Sequence, residues 1–327
     1  MAKSKSVLFI APTFYGYEQI MLAEIQEQGF AVDAVFYEFN AIIGDSEESK
    51  AKLLDYHNQL NACISNTAYD YLFAIKGNIL SLPFLADFID KNPRSNRIMY
   101  QWDSIRNSKL SPELFSMFNK VYSFDLKDIE DFPAYKLIHK PLFYIDSYEN
   151  VPLSEEKYDI TTVGRMDVLR LNLVQSIRQQ FPKFRYKILL KTTFGPRFLL
   201  NLLIRGYRKY SQNATFTTIS SEDVAILMSH SKAILDIAHL EQSGLTIRTF
   251  ETLALKKKLI TTNGLVSKYD FYHPNNIFVL TKDSLKNLAE FMDAPFVQID
   301  APLYKKYALR SWIASFFADN YVEYLLK

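Results

Sequence analysis

The stretch DIAHLEQSGLTIRTFETLALKKKLITTN, Asp236 to Asn263, holds one complete α/β repeat. A strand expected over 232–238 runs into a loop with Gly244, a helix opens near Thr246 and spans 246–256, and a second strand fills 258–262 after a basic turn. Strand, helix and strand in that order predict a parallel pair joined by a crossover. Ligands of such sheets gather beyond the carboxyl ends of the strands, where a helix N-terminus offers free N–H groups and a partial positive charge. The loop Gln242-Ser243-Gly244 falls at that place. Gly244 allows close backbone approach, Thr246 caps the helix or bonds a phosphate, and Arg248 adds a permanent cation, which are suitable parts for a diphosphate. Glu251, about one turn beyond Arg248, is placed to accept from ribose hydroxyls. On spacing alone, an ordinary strand-loop-helix with a surface Arg-Glu pair is an equal alternative.

The same alternation extends in both directions. In the first half, strands are expected at 6–12, 31–38, 69–76, 97–102, 120–124 and 137–143, with helices at 17–28, 47–65, 82–91, 112–118 and 126–131. A turn-rich, acidic connection from Asp146 to Lys157 separates this from a second series. That series has strands at 158–163, 185–190, 215–219, 232–238, 258–262 and 277–280, and helices near 168–180, 197–210, 221–229, 246–256 and 283–291. Two open parallel sheets in tandem follow, with domains at 1–150 and 151–302. From Leu303 to Leu325, aromatic residues recur at helical steps behind Pro302, which predicts one long helix that crosses back to the first domain.

At 327 residues the chain has room for both domains, and its 48% hydrophobic content describes a packed globular protein. A single cysteine, Cys63, excludes an internal disulfide and a cysteine-held zinc, which suits a reducing, cytoplasmic setting. The apolar run Val7 to Pro12 is too short for a signal-peptide core, and no window approaches a membrane span. Net charge is +2, yet Val168 to Ser221 carries ten Lys or Arg and no acid, so an electropositive zone lies on an otherwise acidic protein. Within it, RFLLNLLIRGYRKY, Arg197 to Tyr210, is a basic amphipathic pattern that suits an anionic membrane surface, with a core helix of cationic outer face as the equal alternative.

A second candidate site is DITTVGRMD, Asp159 to Asp167, where a strand ends at Gly164 and delivers Arg165 to the same carboxyl-end rim as Gly244. Lys191 ends another strand and is a weaker candidate for the same task. In the first half, Gly16 and Tyr17 follow the first strand, and Lys76 with Gly77 lies where an acceptor groove would run. Asp103 ends the strand RIMYQW and is the first choice for a general base, with capping of a turn beside Ser104 as the competing role. Asp125, at another strand end, competes for that role. No Gly-x-Gly occurs, which sets aside a dinucleotide-dependent dehydrogenase, and no Gly-Lys-Ser or Gly-Lys-Thr, which sets aside a P-loop enzyme.

The Asp236–Asn263 stretch resembles the nucleotide-sugar signature of GT-B glycosyltransferases, in which an acidic residue, a Gly-Leu step (here Gly244-Leu245) and a glutamate precede a basic turn and an apolar strand. It is especially similar to bacterial capsular and lipopolysaccharide transferases of the CgeB-like group, whose pattern also resembles WDS at Trp102–Ser104, YSFDLKD at Tyr122–Asp128 and PLFY at Pro141–Tyr144. The resemblance implies two Rossmann-like domains facing a cleft, with a nucleotide-sugar donor in the second and a glycan or lipid-linked glycan acceptor in the first. It implies Glu251 on the ribose, His239 toward the sugar or diphosphate, and Arg165 as the cation that takes up leaving-group charge. No metal or other cofactor is implied, in keeping with the lack of an Asp-x-Asp pair. Glu241 and Glu251 stand ten apart where the broad retaining pattern has eight, so stereochemistry does not follow. Two further classes remain: a GT-B-shaped nucleotide-sugar epimerase, and a nucleic-acid-binding protein using the basic aromatic region 168–221.

Overall fold

A computed structural model describes residues 4–107, 110–152, 154–193, 195, 203, 213–217, 219–238, 243–318 and 322–325. The chain divides into two compact units. Unit 1 is Met1–Leu142 with Glu241–Gly244 and Leu309–Tyr324; unit 2 is Phe143–Leu240 with Leu245–Ala308 and Leu325–Lys327.

In unit 1, strand β1 (Ser6–Pro12) buries Val7 through Ala11 completely. A strand apolar on both faces belongs inside a parallel sheet with layers above and below, and β1 lies between β2 (Ala31–Tyr37) and β3 (Tyr71–Ile75), parallel to both. The edge strand β2 instead exposes Ala31 and Asp33 while burying Val35 and Tyr37. With β4 (Asn96–Gln101), β5 (Lys120–Ser123) and β6 (Ile138–His139), the order is β2-β1-β3-β4-β5-β6. Because all pairings are parallel, every carboxyl end lies on one edge.

Helices α1 (Tyr17–Glu27), α2 (Glu47–Asn66), α3 (Leu82–Lys91), α4 (Pro112–Ser116) and α5 (Leu126–Asp131) follow successive strands. Ser46 and Ser81 cap α2 and α3 by accepting from Ser49 N and Phe84 N, as N-cap serines do. In place of a Cβ-compatible turn after β3, Lys76 and Gly77 have φ of 64° and 78°, and an added Cβ at Gly77 would come within 2.8 Å of Met99 Cε.

Unit 2 repeats the design. Strands β7 (Tyr158–Arg165), β8 (Tyr186–Lys191), β9 (Ala214–Thr215), β10 (Ser231–Asp236), β11 (Lys258–Thr261) and β12 (Ile277–Val279) form the parallel order β12-β11-β10-β7-β8-β9. Its helices are α6 (Asp146–Glu149), α7 (Val168–Gln180), α8 (Ser221–Ser229), α9 (Ile247–Ala254), α10 (Leu288–Asp293) and α11 (Ala301–Lys305). The core joins Ile160 of β7, Leu171, Val174 and Ile177 of α7, and Ala233 and Leu235 of β10. The chain returns to β10 after β9 and crosses to the other side of β7, so the direction in which strands are added reverses between β7 and β10, which stay parallel.

The C-terminal expectation needs correction. The aromatic stretch is two helices, α11 and α12 (Leu309–Phe317), rather than one from 303 to 325. Helical hydrogen bonding stops because Tyr307 O accepts from Tyr144 N at 2.9 Å, while the Tyr307 hydroxyl donates to Asp270 at 2.6 Å and Lys306 pairs with the same carboxylate. Leu303–Ala308 therefore belongs with unit 2, and only α12 and the segment to Tyr324 lie in unit 1. There Trp312 and Phe316 are fully buried, with the Phe316 ring 4.7 Å from Phe73 and 5.0 Å from Tyr122, and the Trp312 indole N–H donating to Pro141 O. Each such ring contributes about 1.5–3 kcal/mol through burial. The boundary also moves: unit 2 begins at Phe143, just before the turn-rich connection, rather than at 151. Two expected strands shorten, 137–143 to Ile138–His139 and 215–219 to Ala214–Thr215; the first ends before Pro141, which has no N–H for a ladder. The expected helix over 197–210 lies almost entirely outside the described residues.

Candidate functional site

At the point of reversal in unit 2, the loops after β7 and β10 diverge and leave open the place where open α/β sheets hold ligands. Asp167 caps α7 by accepting from Arg170 N at 2.9 Å. This cap turns the Arg170 side chain back over the strand ends: its Nη1 donates to Arg165 O at 2.8 Å and its Nη2 to Ile237 O at 3.1 Å. One guanidinium thus ties the ends of the two strands that flank the reversal. Gly164 lies beneath it, and an added Cβ would meet Arg170 only at ordinary contact distance. The Arg165 side chain is exposed, and among the described residues no carboxylate pairs with it. Lys191 stands beside it, since Arg165 and Lys191 are register partners. Sequence reasoning missed Arg170, although the Asp167-x-x-Arg170 spacing behind a strand was the available signal.

Across the reversal, β10 ends at Asp236, whose buried carboxylate accepts from Thr246 Oγ1 at 2.7 Å and Thr249 Oγ1 at 3.2 Å. Burial pushes this carboxyl up, and the two hydroxyls oppose that shift. Thr246 consequently gives its hydroxyl to Asp236 and makes no side-chain cap to α9. The first-turn N–H groups of α9 thus carry its positive end without a cap from the Thr246 side chain. Leu245 is buried, so only its backbone can face a ligand.

Arg248 and Glu251 meet as anticipated from their spacing, but as a buried pair rather than a surface one. Arg248 Nη1 lies 2.5 Å from Glu251 Oε2 and 3.0 Å from Met228 Sδ, and Glu251 is 2% exposed. Tyr148 of α6 completes the cluster, its phenol pushed up first by burial and then by the Glu251 charge. Glu251 in this state is the partner of Arg248 and Tyr148, not an open carboxylate.

The loop ahead of α9 has a different place from the one expected. Ser243 and Gly244 group with unit 1, where Ser243 N donates to Asp125 Oδ2 at 3.1 Å and Ser243 Oγ bonds Asp125 Oδ1. A Cβ on Gly244 would fall within 2.5 Å of two carbons of the buried Phe124 ring. Glycine is needed here for contact with an aromatic ring, which explains the residue without a phosphate. Asp125 is fully buried and also caps α5 through Lys127 N, so it holds this loop and offers no carboxylate to an acceptor. His239, Glu241 and Gln242 lie outside the described residues.

On unit 1, β1, β3 and β4 end side by side. Lys76 Nζ forms an ion pair with Asp103 Oδ2 and stands 4.3 Å over the Phe39 ring. The Ser104 hydroxyl goes to Asp128, at 2.7 Å. The Asp103 side chain is 40% exposed and is the accessible carboxylate of this group. Gly16, with φ of 81°, opens α1, while the Tyr17 ring is buried and packs 5.7 Å from Trp102. Asp128 was not anticipated: it accepts from Ser104, Ser123 and Ile105 N, a junction that fixes the loop after β4 to β5.

Of the aromatic residues of the basic region, Phe181, Phe184 and Tyr186 serve packing. Phe181 and Phe184 stack at 5.3 Å and, with Tyr186, lean on the unit 2 core, while Arg185 is engaged by Asp159. Phe194, Tyr207 and Tyr210 lie outside the described residues. Among the described residues, no helix is long and apolar enough to cross a membrane.

No family model and no curated protein sequence matches the chain. Solved structures do. A UDP-forming α,α-trehalose-phosphate synthase from Burkholderia vietnamiensis is 11% identical, with a TM-score of 0.65 over 97% of this chain and 96% of that one. The apo form of the lipopolysaccharide outer core galactosyltransferase WaaB is 10% identical, with a TM-score of 0.58 over 95% and 98%. A UDP-GlcNAc 2-epimerase from Neisseria meningitidis bound to UDP-GlcNAc is 8% identical, with a TM-score of 0.55 over 95% and 98%. At these identities the likeness is one of fold, and the chain has the two-sheet α/β fold of GT-B proteins.

Proposed function

We propose that the protein is a glycosyltransferase that moves a sugar from a nucleotide-sugar donor to a hydroxyl of a surface polysaccharide or lipopolysaccharide. The observation that carries this is the strand-end edge of unit 2, where Arg170 ties β7 to β10, Arg165 is exposed with no carboxylate partner among the described residues, and α9 begins without a cap from the Thr246 side chain. An exposed arginine and a helix N-terminus on the same strand-end edge suit a diphosphate, while Arg170 is held by two carbonyls and by Asp167. The trehalose-phosphate synthase and galactosyltransferase structures support the transferase class, and the latter's name supports a lipopolysaccharide acceptor.

In the proposed reaction, the bond from the sugar's anomeric carbon to the diphosphate breaks and a bond to the acceptor oxygen forms. Arg165 and the α9 N–H groups take up the charge that develops on the departing diphosphate, which makes the reaction metal-independent. Arg170 positions Arg165 through its carbonyl, and the Arg248–Glu251 pair supports α9 from below. Asp103, on unit 1, is the base that receives the acceptor proton. An acceptor carried on lipid would bring the protein to the inner face of the cytoplasmic membrane, a contact the sequence of 197–210 suits.

A melting-temperature screen against UDP, GDP, dTDP and CMP and their sugars tests the donor half. One nucleotide is expected to stabilise the protein, and no response to any would overturn the reading. An epimerase is the second reading, favoured by the likeness to the UDP-GlcNAc 2-epimerase. It predicts a changed sugar after incubation with donor alone, whereas a transferase leaves the sugar intact or hydrolyses it.

A further inference from the structure

Phe14 and Tyr15 stand out in unit 1 as large rings turned toward solvent, 43% and 70% exposed, immediately after β1. They are not on a loose loop. Phe14 N donates to the buried Glu18 at 2.8 Å, Phe14 O accepts from Tyr17 N, and Thr13 N donates to Tyr37 O at 2.8 Å. Tyr15 also takes a left-handed φ of 51°, followed by Gly16 at 81°, a backbone that side chains rarely adopt and that the fold must hold in place.

The exposed rings abut Trp102, which is half-buried. Phe14 lies 4.9 Å from Tyr15 and 5.8 Å from Trp102, each edge-to-face, and Trp102 precedes Asp103 of the Lys76–Asp103 pair. The carboxyl edge of β1, β3 and β4 therefore presents aromatic faces beside one cation and one anion that neutralise each other. A pyranose has matching chemistry, with an apolar C–H face for a ring and hydroxyls that both donate to a carboxylate and accept from an ammonium. A phosphorylated sugar suits the edge less well, because its charge would meet a lysine already paired with Asp103.

We infer that Phe14, Tyr15 and Trp102 form a stacking platform for the terminal, uncharged pyranose of the acceptor, with Lys76 and Asp103 binding its hydroxyls. This rests on the glycosyltransferase reading and names the substrate class of its unit 1 side.

Saturation-transfer NMR on the whole 327-residue chain tests it. The probes are the methyl pyranosides of glucose, galactose, mannose and N-acetylglucosamine, a mild-acid core oligosaccharide from lipopolysaccharide, glucose 6-phosphate and UMP. The expected result is saturation concentrated on the ring C–H protons of one or more neutral saccharides, weakened about ten-fold by Phe14→Ser or Tyr15→Asn. Asparagine tolerates the left-handed backbone, so Tyr15→Asn removes the ring without refolding the turn. No saturation of any neutral saccharide, a signal unchanged in both variants, or a tighter response to glucose 6-phosphate would each overturn the platform, whereas UMP, whose expected place is on unit 2, should respond equally in wild type and variants. Melting shifts with nucleotides on the same samples separate the two readings. Nucleotide response without saccharide response sinks the platform alone, and saccharide response without nucleotide response sinks the transferase reading while the platform stands.

Discussion

Replacing Glu251 with alanine is expected to destabilise unit 2 before it affects any ligand. The carboxylate is 2% exposed and lies 2.5 Å from the Arg248 guanidinium, so its removal leaves a largely buried cation without that partner. Breaking a buried pair from one side costs about 3–5 kcal/mol, and the Tyr148 phenol, held by the same carboxylate, loses its acceptor as well. Glu251→Gln keeps the shape and one acceptor oxygen but drops the charge, which places its cost lower, about 1–3 kcal/mol. The assay is urea unfolding followed by far-UV circular dichroism, because both tryptophans, Trp102 and Trp312, belong to unit 1 and would not report on unit 2 directly. The predicted order of midpoints is wild type, then Glu251→Gln, then Glu251→Ala. If Glu251→Ala unfolds at the wild-type urea concentration yet no longer binds nucleotide, the carboxylate is free for ligand and the buried-pair account is wrong.

Gly244→Ala should cost about 1–3 kcal/mol, or release Ser243 from Asp125 and raise its amide exchange, because its Cβ overlaps the Phe124 ring; Phe124→Leu in the same chain should recover most of the loss, and no recovery would argue against the ring contact. Lys140 is buried among the Phe316, Trp312, Tyr122 and Tyr324 rings, and burial pushes its ammonium down to about 7. Unfolded lysine titrates near ~10.4, so between these values the unfolded chain holds a proton that the fold lacks, and stability should rise with pH by up to ~1.4 kcal/mol per unit. Below about 7 the penalty is complete; Lys140→Met should remove this slope, and an identical pH dependence in both proteins would refute it. Asp103→Asn should lower transfer by roughly 10²–10⁴-fold while leaving the nucleotide melting shift unchanged, and near-normal transfer would exclude Asp103 as the base.

The strands were legible because they are short, β-branched or aromatic, and buried on both faces, as in VLFIA of β1 and AILD of β10. Their alternation with amphipathic stretches is enough to identify two parallel sheets. The C-terminal helix was misjudged for a reason local pattern cannot contain: helical spacing persists through Lys306 and Tyr307, but Tyr144 and Asp270 pull those residues out of the helix. Side-chain roles were less legible than elements. Gly244 was rightly singled out as a position of close approach, yet the approaching group is Phe124, more than a hundred residues away in sequence. Asp125 looked like a strand-end carboxylate open to substrate and is instead the anchor of Ser243. Arg170 drew no notice: the Asp167-x-x-Arg170 spacing is visible in the sequence, but not that the cap folds the side chain back across two strand ends.

The central claim is that the β7–β10 edge of unit 2 binds a nucleoside diphosphate, and calorimetric titration of wild type and Arg165→Ala tests it most directly. Arg165 is exposed and makes no ion pair among the described residues, so alanine removes a ligand contact without removing a structural one. A charged hydrogen bond of this kind contributes about 1.5–3 kcal/mol. The account predicts saturable binding of one nucleoside diphosphate to the wild type, weakened at least about ten-fold in the variant at an unchanged melting temperature. Binding of equal strength in both proteins, or no binding to the wild type by any of UDP, GDP or dTDP, would contradict it.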